Sequence, residues 1–390
     1  MFDALLIILP AAAISGWYYS KTKRRHRRQR KQSARWSKDY LAGLNYLLDE
    51  QPDKAVDVFI KMLEVDSETV ETHLALGNLF RKRGEVDRAI RVHQNLIARP
   101  HLDKAERTQA LLCLGQDYFK AGVFDRAERL FHEVIDAGAY LAEGLRYLLD
   151  IYEQEKDWDQ AIQIAQKLGS VTNTNMNPVI AHYYCELAEE ARLKVSSEQA
   201  ARYLKRALSA DRNSVRTSLL QGEWEAESQQ YKAAIRAFKR VKDQDPDYIA
   251  EVIPHLVACY EKLGLETELI AFLRQCLDEV PRISIVLALT ESLRHWRGAE
   301  AAIAFLTEQL QLRPTVRGLK HLIDLQLGLE EEISSKEKFQ LLDDLIQQLL
   351  QDKPIYRCVH CGFSGKVLHW HCPSCKQWNV VKPIQGLEGE

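Results

Sequence analysis

The residues whose spacing can do chemistry are two cysteine pairs near the C-terminal end, Cys358-Val359-His360-Cys361 and Cys372-Pro373-Ser374-Cys375, with ten residues between the inner cysteines. Each C-x-x-C pair offers two thiolates from one tight turn. Two pairs supply the four sulfurs of a tetrahedral site for zinc or for a single iron. Gly362, directly after the second cysteine, permits a sharp turn in which backbone N–H groups point at sulfur. Four thiolates leave no open coordination position, so the pattern points to one structural ion held by four cysteines and away from a catalytic one. His360, His369 and His371 are neighbouring alternative ligands. In the simpler arrangement Cys358, Cys361, Cys372 and Cys375 complete the shell and the histidines are exposed or pack beside Trp370. Cys113, Cys185, Cys259 and Cys276 fall in apolar helical stretches and read as buried packing. The chain has no G-x-G-x-x-G, no P-loop, no H-E-x-x-H and no G-x-S-x-G, and no enzymatic activity is expected of it.

Residues 352–382, which must position the cysteines, are aromatic and β-prone, and a short tail follows at 383–390. A segment of this size cannot build a sufficient apolar core, so its fold depends on its ion. Eight cysteines in 390 residues are too few for a disulfide scaffold, and the arrangement implies a reducing compartment. The motif C-x-x-C-G with C-P-x-C resembles rubredoxin and the zinc ribbons. It departs from rubredoxin in a much shorter loop between the pairs and in Lys376, which stands where a second glycine is expected. Both departures favour a structural ion over electron transfer.

The bulk of the chain, residues 36–351, repeats one spacing with a period of about 34 residues, the mark of stacked helix-turn-helix units. In LLCLGQDYFKAGVFDRAERLF, Gly115 is followed by Tyr118, the turn glycine Gly122, Asp125, Ala127 and Phe131. The same frame fits Gly43, Tyr46, Asp53, Ala55 and Phe59 in the first copy, and Gly77, Phe80, Gly84, Asp87 and Ala89 in the second. Small residues at the crossing points let antiparallel helices approach, and aromatic side chains fill the gap to the next pair. Asp53, Asp87, Asp125 and Asp159 share one repeat position and are expected as N-caps of the second helices. Gly84, Gly122 and Gly264 are expected to close first helices at positive φ. The pattern resembles the tetratricopeptide repeat family. Later copies keep Gly222, Ala234, Phe238 and Pro246, whereas the fourth and fifth depart at Leu149 and Ala191. About nine copies fit. Such arrays bind peptides or helices and carry little chemistry of their own.

Residues 2–20, FDALLIILPAAAISGWYYS, have Asp3 as their only charge and as a helix span about 28 Å, close to the roughly 30 Å of bilayer hydrocarbon. A transmembrane helix over 1–20 with its N-terminus outside is expected. Lys21, Lys23, Arg24, Arg25, Arg27, Arg28, Arg30 and Lys31 follow in the juxtamembrane segment 21–35. They hold the rest of the chain in the cytoplasm and can contact anionic lipid. A cleaved signal peptide would carry its basic residues before the apolar run. With those eight cations set aside from the net charge of −2, the rest of the chain carries about −10, which argues against a nucleic-acid grip. A composition 46% hydrophobic and 28% charged excludes collagen-like, low-complexity and wholly disordered classes.

The expected fold is therefore all-α, a tetratricopeptide-repeat superhelical solenoid with an N-terminal transmembrane helix and a small C-terminal rubredoxin-like or zinc-ribbon β domain. That order of parts, with CVHCGF and HWHCPSC, resembles the lipopolysaccharide assembly protein B family of Gram-negative bacteria over the whole chain. The resemblance implies a single-pass inner-membrane protein facing the cytoplasm. It implies an adaptor that brings the LpxC deacetylase to the FtsH protease, with other inner-membrane lipopolysaccharide proteins as further partners. A scaffold assembling biosynthetic or export proteins is the alternative, and a redox carrier with one iron held by the four thiolates is a third.

Overall fold

The computed structural model describes residues 70–390 except 101, 195, 329–332, 352, 388 and 390, together with residues 42, 45, 46, 54, 55 and 58. The expected transmembrane helix over 1–20, the basic segment and Gly43, Asp53 and Phe59 of the first repeat lie outside the described residues. Among the described residues no helix is long and apolar enough to cross a membrane. The chain is mostly helical and divides into two compact units, residues 1–157 with 170–172, and residues 158–169 with 173–390.

In the first unit α1 (Val70–Lys82), α2 (Val86–Ile97), α3 (Lys104–Lys120), α4 (Phe124–Ala137) and α5 (Leu141–Glu155) form successive antiparallel layers. A capping box starts α3, where the Asp103 carboxylate accepts from the Glu106 amide and the Glu106 side chain accepts from the Asp103 amide. Gly84 and Gly122 end α1 and α3 at φ of 82° and 75°, and the next amides reach back to Phe80 O and Tyr118 O. This return bond makes Glu85 and Val123 the residues that precede α2 and α4. Asp87 and Asp125 are therefore not N-caps as expected; each is the second residue of its helix, as is Asp159 in α6. From inside the first turn their charge still faces the positive end of the helix dipole.

The second unit begins with α6 (Trp158–Thr172), whose last residues 170–172 belong to the first unit. It continues with α7 (Asn177–Leu193), α8 (Ser197–Ala210), α9 (Val215–Glu227), α10 (Tyr231–Gln244), a 3-10 turn (Pro246–Tyr248), α11 (Ile249–Leu263), α12 (Glu266–Glu279), α13 (Ile283–Arg297), α14 (Ala299–Leu312), α15 (Val316–Leu327) and α16 (Ile333–Gln351). Phe238, Tyr248, Ile249, Leu256 and Tyr260 lie at the centre of its core. A three-stranded antiparallel sheet ends the chain, with β1 (Tyr356–Cys358) between β2 (Ser364–Gly365) and β3 (Val381–Pro383).

The small-beside-aromatic rule takes one concrete form in both units. A glycine on the first helix of a pair faces a ring on the second: Gly77 faces His93, Gly115 faces Phe131, and Gly222 faces Phe238. A Cβ at Gly222 would stand 2.4 Å from Phe238 Cε1, and Phe238 is fully buried. Gly222→Ala must push the ring off its rotamer, and is expected to cost about 1–3 kcal/mol. Urea denaturation of the protein measures this, and a variant as stable as the parent would contradict the packing. His93 takes the aromatic position in its pair; its Nδ1 lies 2.5 Å from Asp117 Oδ2, and Arg81 holds Asp117 Oδ1 at 2.7 Å. Both oxygens of the buried Asp117 carboxylate are thus paired, as burial requires.

Candidate metal centre and its seat on the repeats

The two cysteine pairs fold into two knuckles of matching design. In the first, the Cys358 amide donates to Phe363 O at 2.7 Å and the Gly362 amide to Cys358 O at 3.0 Å. In the second, the Cys372 amide donates to Gln377 O and the Lys376 amide to Cys372 O, both at 2.9 Å. Gly362 and Lys376 occupy the same left-handed position, φ 79° and 58°. The lysine that breaks the expected pattern therefore leaves the knuckle intact, at the strain of a non-glycine residue in that region.

The knuckles bring Cys358, Cys361, Cys372 and Cys375 together, all four sulfurs lying within 4.8 Å of one another. Cys358 Sγ is 3.8 Å from Cys375 Sγ, and Cys361 Sγ is 3.7 Å from Cys372 Sγ. A tetrahedron with metal–sulfur bonds of about 2.3 Å has an edge of about 3.8 Å, whereas a disulfide would bring sulfurs to about 2.05 Å. The chemistry of the donors agrees. The Phe363 amide holds the Cys361 thiol down to about 6, while withdrawal from water pushes Cys375 up to about 12, with the neighbouring sulfurs adding to the rise. Four thiols this close cannot all ionise without a cation among them, and the site fits one tetrahedral ion. The histidines stand outside it. His360 Nε2 meets Gln377 Nε2 at 3.3 Å, His369 lies edge-on to Phe363, and His371 stacks on Trp378 at 4.5 Å. His371 therefore packs beside Trp378 and not beside Trp370.

Within the second unit this module sits on the repeats through two indoles. Trp378 enters a cage made by Trp158, His182 and Tyr183, with His182 stacked at 5.0 Å and the other two rings edge-on at 6.3 and 5.8 Å. Trp370 stacks on Tyr248 at 5.3 Å, and with Leu368 it joins the core around Phe238 and Ile249. The Tyr248 hydroxyl donates to Val381 O at 2.9 Å, and the Tyr356 hydroxyl to Glu251 Oε1 at 3.0 Å. Lys382 Nζ reaches Asp245 and Asp247 at 3.0 and 2.8 Å, and Arg282 and Gln385 also bond Asp247. Burial alone would raise the Asp247 carboxyl, but the bond from Lys382 and the two cations hold it below the ordinary value. The family resemblance implies that the module packs on the repeats, but none of these individual contacts was among the sequence expectations. The signal was the count of large aromatics in a segment too small to cover them.

The protonation of His182 is testable. Burial, then Arg216 and His371, push its pKa far down, to about 3, so the stacked ring is neutral. Released from the seat it would titrate near 6.5 and bind a proton that the seated form refuses. The seat's stability is thus full above about 6.5 and declines as pH falls from there toward 3. Protease resistance of the seated module is expected to fall between pH 7.5 and 5 in the parent, and to fall less in His182→Phe, which keeps the stack without the proton. Equal pH profiles would contradict this.

Fold and site define a class, a tetratricopeptide-repeat protein carrying a rubredoxin-type metal module. The family description "Rubredoxin metal binding domain" matches residues 356–383, and "Tetratricopeptide repeat" matches 72–108, 112–169 and 196–249. The chain belongs to the lipopolysaccharide assembly protein B family: it is 41% identical over 389 residues to the protein of that name from Escherichia coli K12, covering 100% of both chains. It is also 34% identical over 397 residues to the one from Haemophilus influenzae, again over 100% of both. A crystal structure of MamA is similar over 44% of this chain and 94% of its own, at 23% identity and a TM-score of 0.34.

Proposed function

We propose that this chain acts in lipopolysaccharide assembly as a membrane-anchored, non-enzymatic adaptor that promotes FtsH-dependent degradation of the LpxC deacetylase. The observation that carries this reading is full-length relatedness to proteins named for lipopolysaccharide assembly, extending through both the repeats and the metal module. The apolar run at 2–20 would anchor the chain in the inner membrane, with the eight cations of 21–31 keeping the repeats on the cytoplasmic side. Anchoring an adaptor in the membrane of its protease raises their effective concentration without a large new contact. Cys358, Cys361, Cys372 and Cys375 would hold one iron or zinc ion, whose part is to keep the module folded against the repeats.

The test is the half-life of LpxC in cells depleted of this protein. Depletion is expected to lengthen it, the intact chain to restore it, and a chain lacking residues 1–20 to fail. A half-life that depletion leaves unchanged rejects the adaptor reading. The word "assembly" in the relatives' name favours a second reading, a scaffold holding lipopolysaccharide enzymes together, under which LpxC lifetime stays constant and co-purified enzymes are lost.

A further inference from the structure

Helices α8, α9 and α10 and the end of α7 line an open cavity of about 790 Å³, none of whose lining residues belongs to the metal module. Its chemistry is one-sided. Four cations line it, Arg192, Lys205, Arg212 and Arg240, against two carboxylates, Glu225 and Glu227. Arg192 is engaged already, paired with Glu227 and lying 4.9 Å over the Trp224 ring. That leaves three cations facing one carboxylate. The side chains of Lys205 and Arg212 have no partner among the described residues. Arg240 donates one N–H to Gln221 Oε1 at 2.6 Å, but its buried Nε has no acceptor, and neither has the buried Trp224 Nε1. Withdrawal from water lowers the Arg240 pKa, so its charge is held at a cost that an anion would offset.

Buried donors without acceptors are rare in folded proteins, and two of them beside two unpaired cations describe a site complementary to carboxylate or phosphate oxygens. The volume is that of a small-ligand site, larger than one isolated oxyanion fills. Repeat helices of this class receive extended or helical peptide segments, and the serine hydroxyls of Ser197 and Ser228 along the wall suit main-chain groups. We propose that this cavity docks an acidic segment of a partner protein, two or more Asp or Glu carboxylates meeting Lys205, Arg212 and Arg240 while the Trp224 indole N–H donates to a peptide oxygen. The inference stands apart from the adaptor reading and holds whichever lipopolysaccharide protein supplies the segment.

The test uses the full-length protein in a neutral detergent and a fluorescein-labelled hexaglutamate peptide, read by anisotropy at 100 mM salt. Binding is expected, and the double reversal Lys205→Glu with Arg212→Glu should weaken it at least tenfold. Both residues are exposed, so thermal stability and metal content are expected to stay at parental values. Trp224→Phe, which keeps the ring and removes the donor, should weaken binding by a few fold. An affinity that the double reversal leaves unchanged, as when the peptide is held by the basic segment at 21–31, overturns the proposal. So does the absence of peptide binding when inorganic pyrophosphate binds and Lys205→Glu abolishes it, because the site would then be one for phosphate groups.

Discussion

Cys372→Ser is expected to remove the ion and unfold residues 353–385 while the helices keep their circular-dichroism signal. The reason lies in what the module has for a core. Its buried residues are Cys358, Cys372, Val381 and Pro383, so two of the four are themselves ligands. Strands of three, two and three residues add little hydrogen bonding. A structural ion in such a module contributes about 10–16 kcal/mol of apparent binding free energy at neutral pH, comparable with the whole stability of an ordinary domain. With the ion gone, Trp370 and Trp378 leave their seats. Limited proteolysis should cut within 353–385, tryptophan emission should shift to the red, and chelation of the parent should reproduce both. A Cys372→Ser protein with parental metal content and protease resistance would show that the four sulfurs do not act as one shell.

Trp378→Ala is expected to separate folding of the module from its seating. The indole contacts rings from α6, α7 and the second knuckle at once, and no other module side chain reaches the Trp158 and Tyr183 rings among the contacts described. Truncating an aromatic in such a setting costs about 3–5 kcal/mol when it is fully buried; Trp378 is half-buried, so about 3 kcal/mol is expected. That falls on the contact with the repeats and not on the sulfurs. The variant should keep one ion per chain yet become cleavable near 352–355, where the module joins α16. A variant that loses its ion along with its seat would mean that the knuckles fold only against the repeats.

The parts of this molecule that were legible in sequence are those fixed by local geometry. The C-x-x-C spacing sets where four sulfurs lie because each knuckle closes over six residues. Gly84, Gly122 and Gly264 announced their positive φ because a turn at that point is cheap only for glycine. The Asp87 and Asp125 N-caps were misplaced by two residues because the return bond after a closing glycine hands the cap to the residue that follows it, which spacing alone does not show. That the module packs on the repeats was implied by the family resemblance alone, and the residues of the seat were not legible in the spacing. Lys382 with Asp245 and Tyr248 with Val381 join residues more than 130 positions apart, and no local period records such a pairing. Pro246 read as an ordinary repeat position, yet its turn supplies Tyr248, the ring on which Trp370 stacks.

The central claim is that an ion-held module acts by being seated on the repeats. It is tested most directly by the half-life of LpxC in depleted cells that express Trp378→Ala at parental level with its ion retained. The account predicts a half-life as long as in cells with no rescue, and the same for Cys372→Ser. Full restoration of turnover by a Trp378→Ala chain whose module is demonstrably unseated would contradict it.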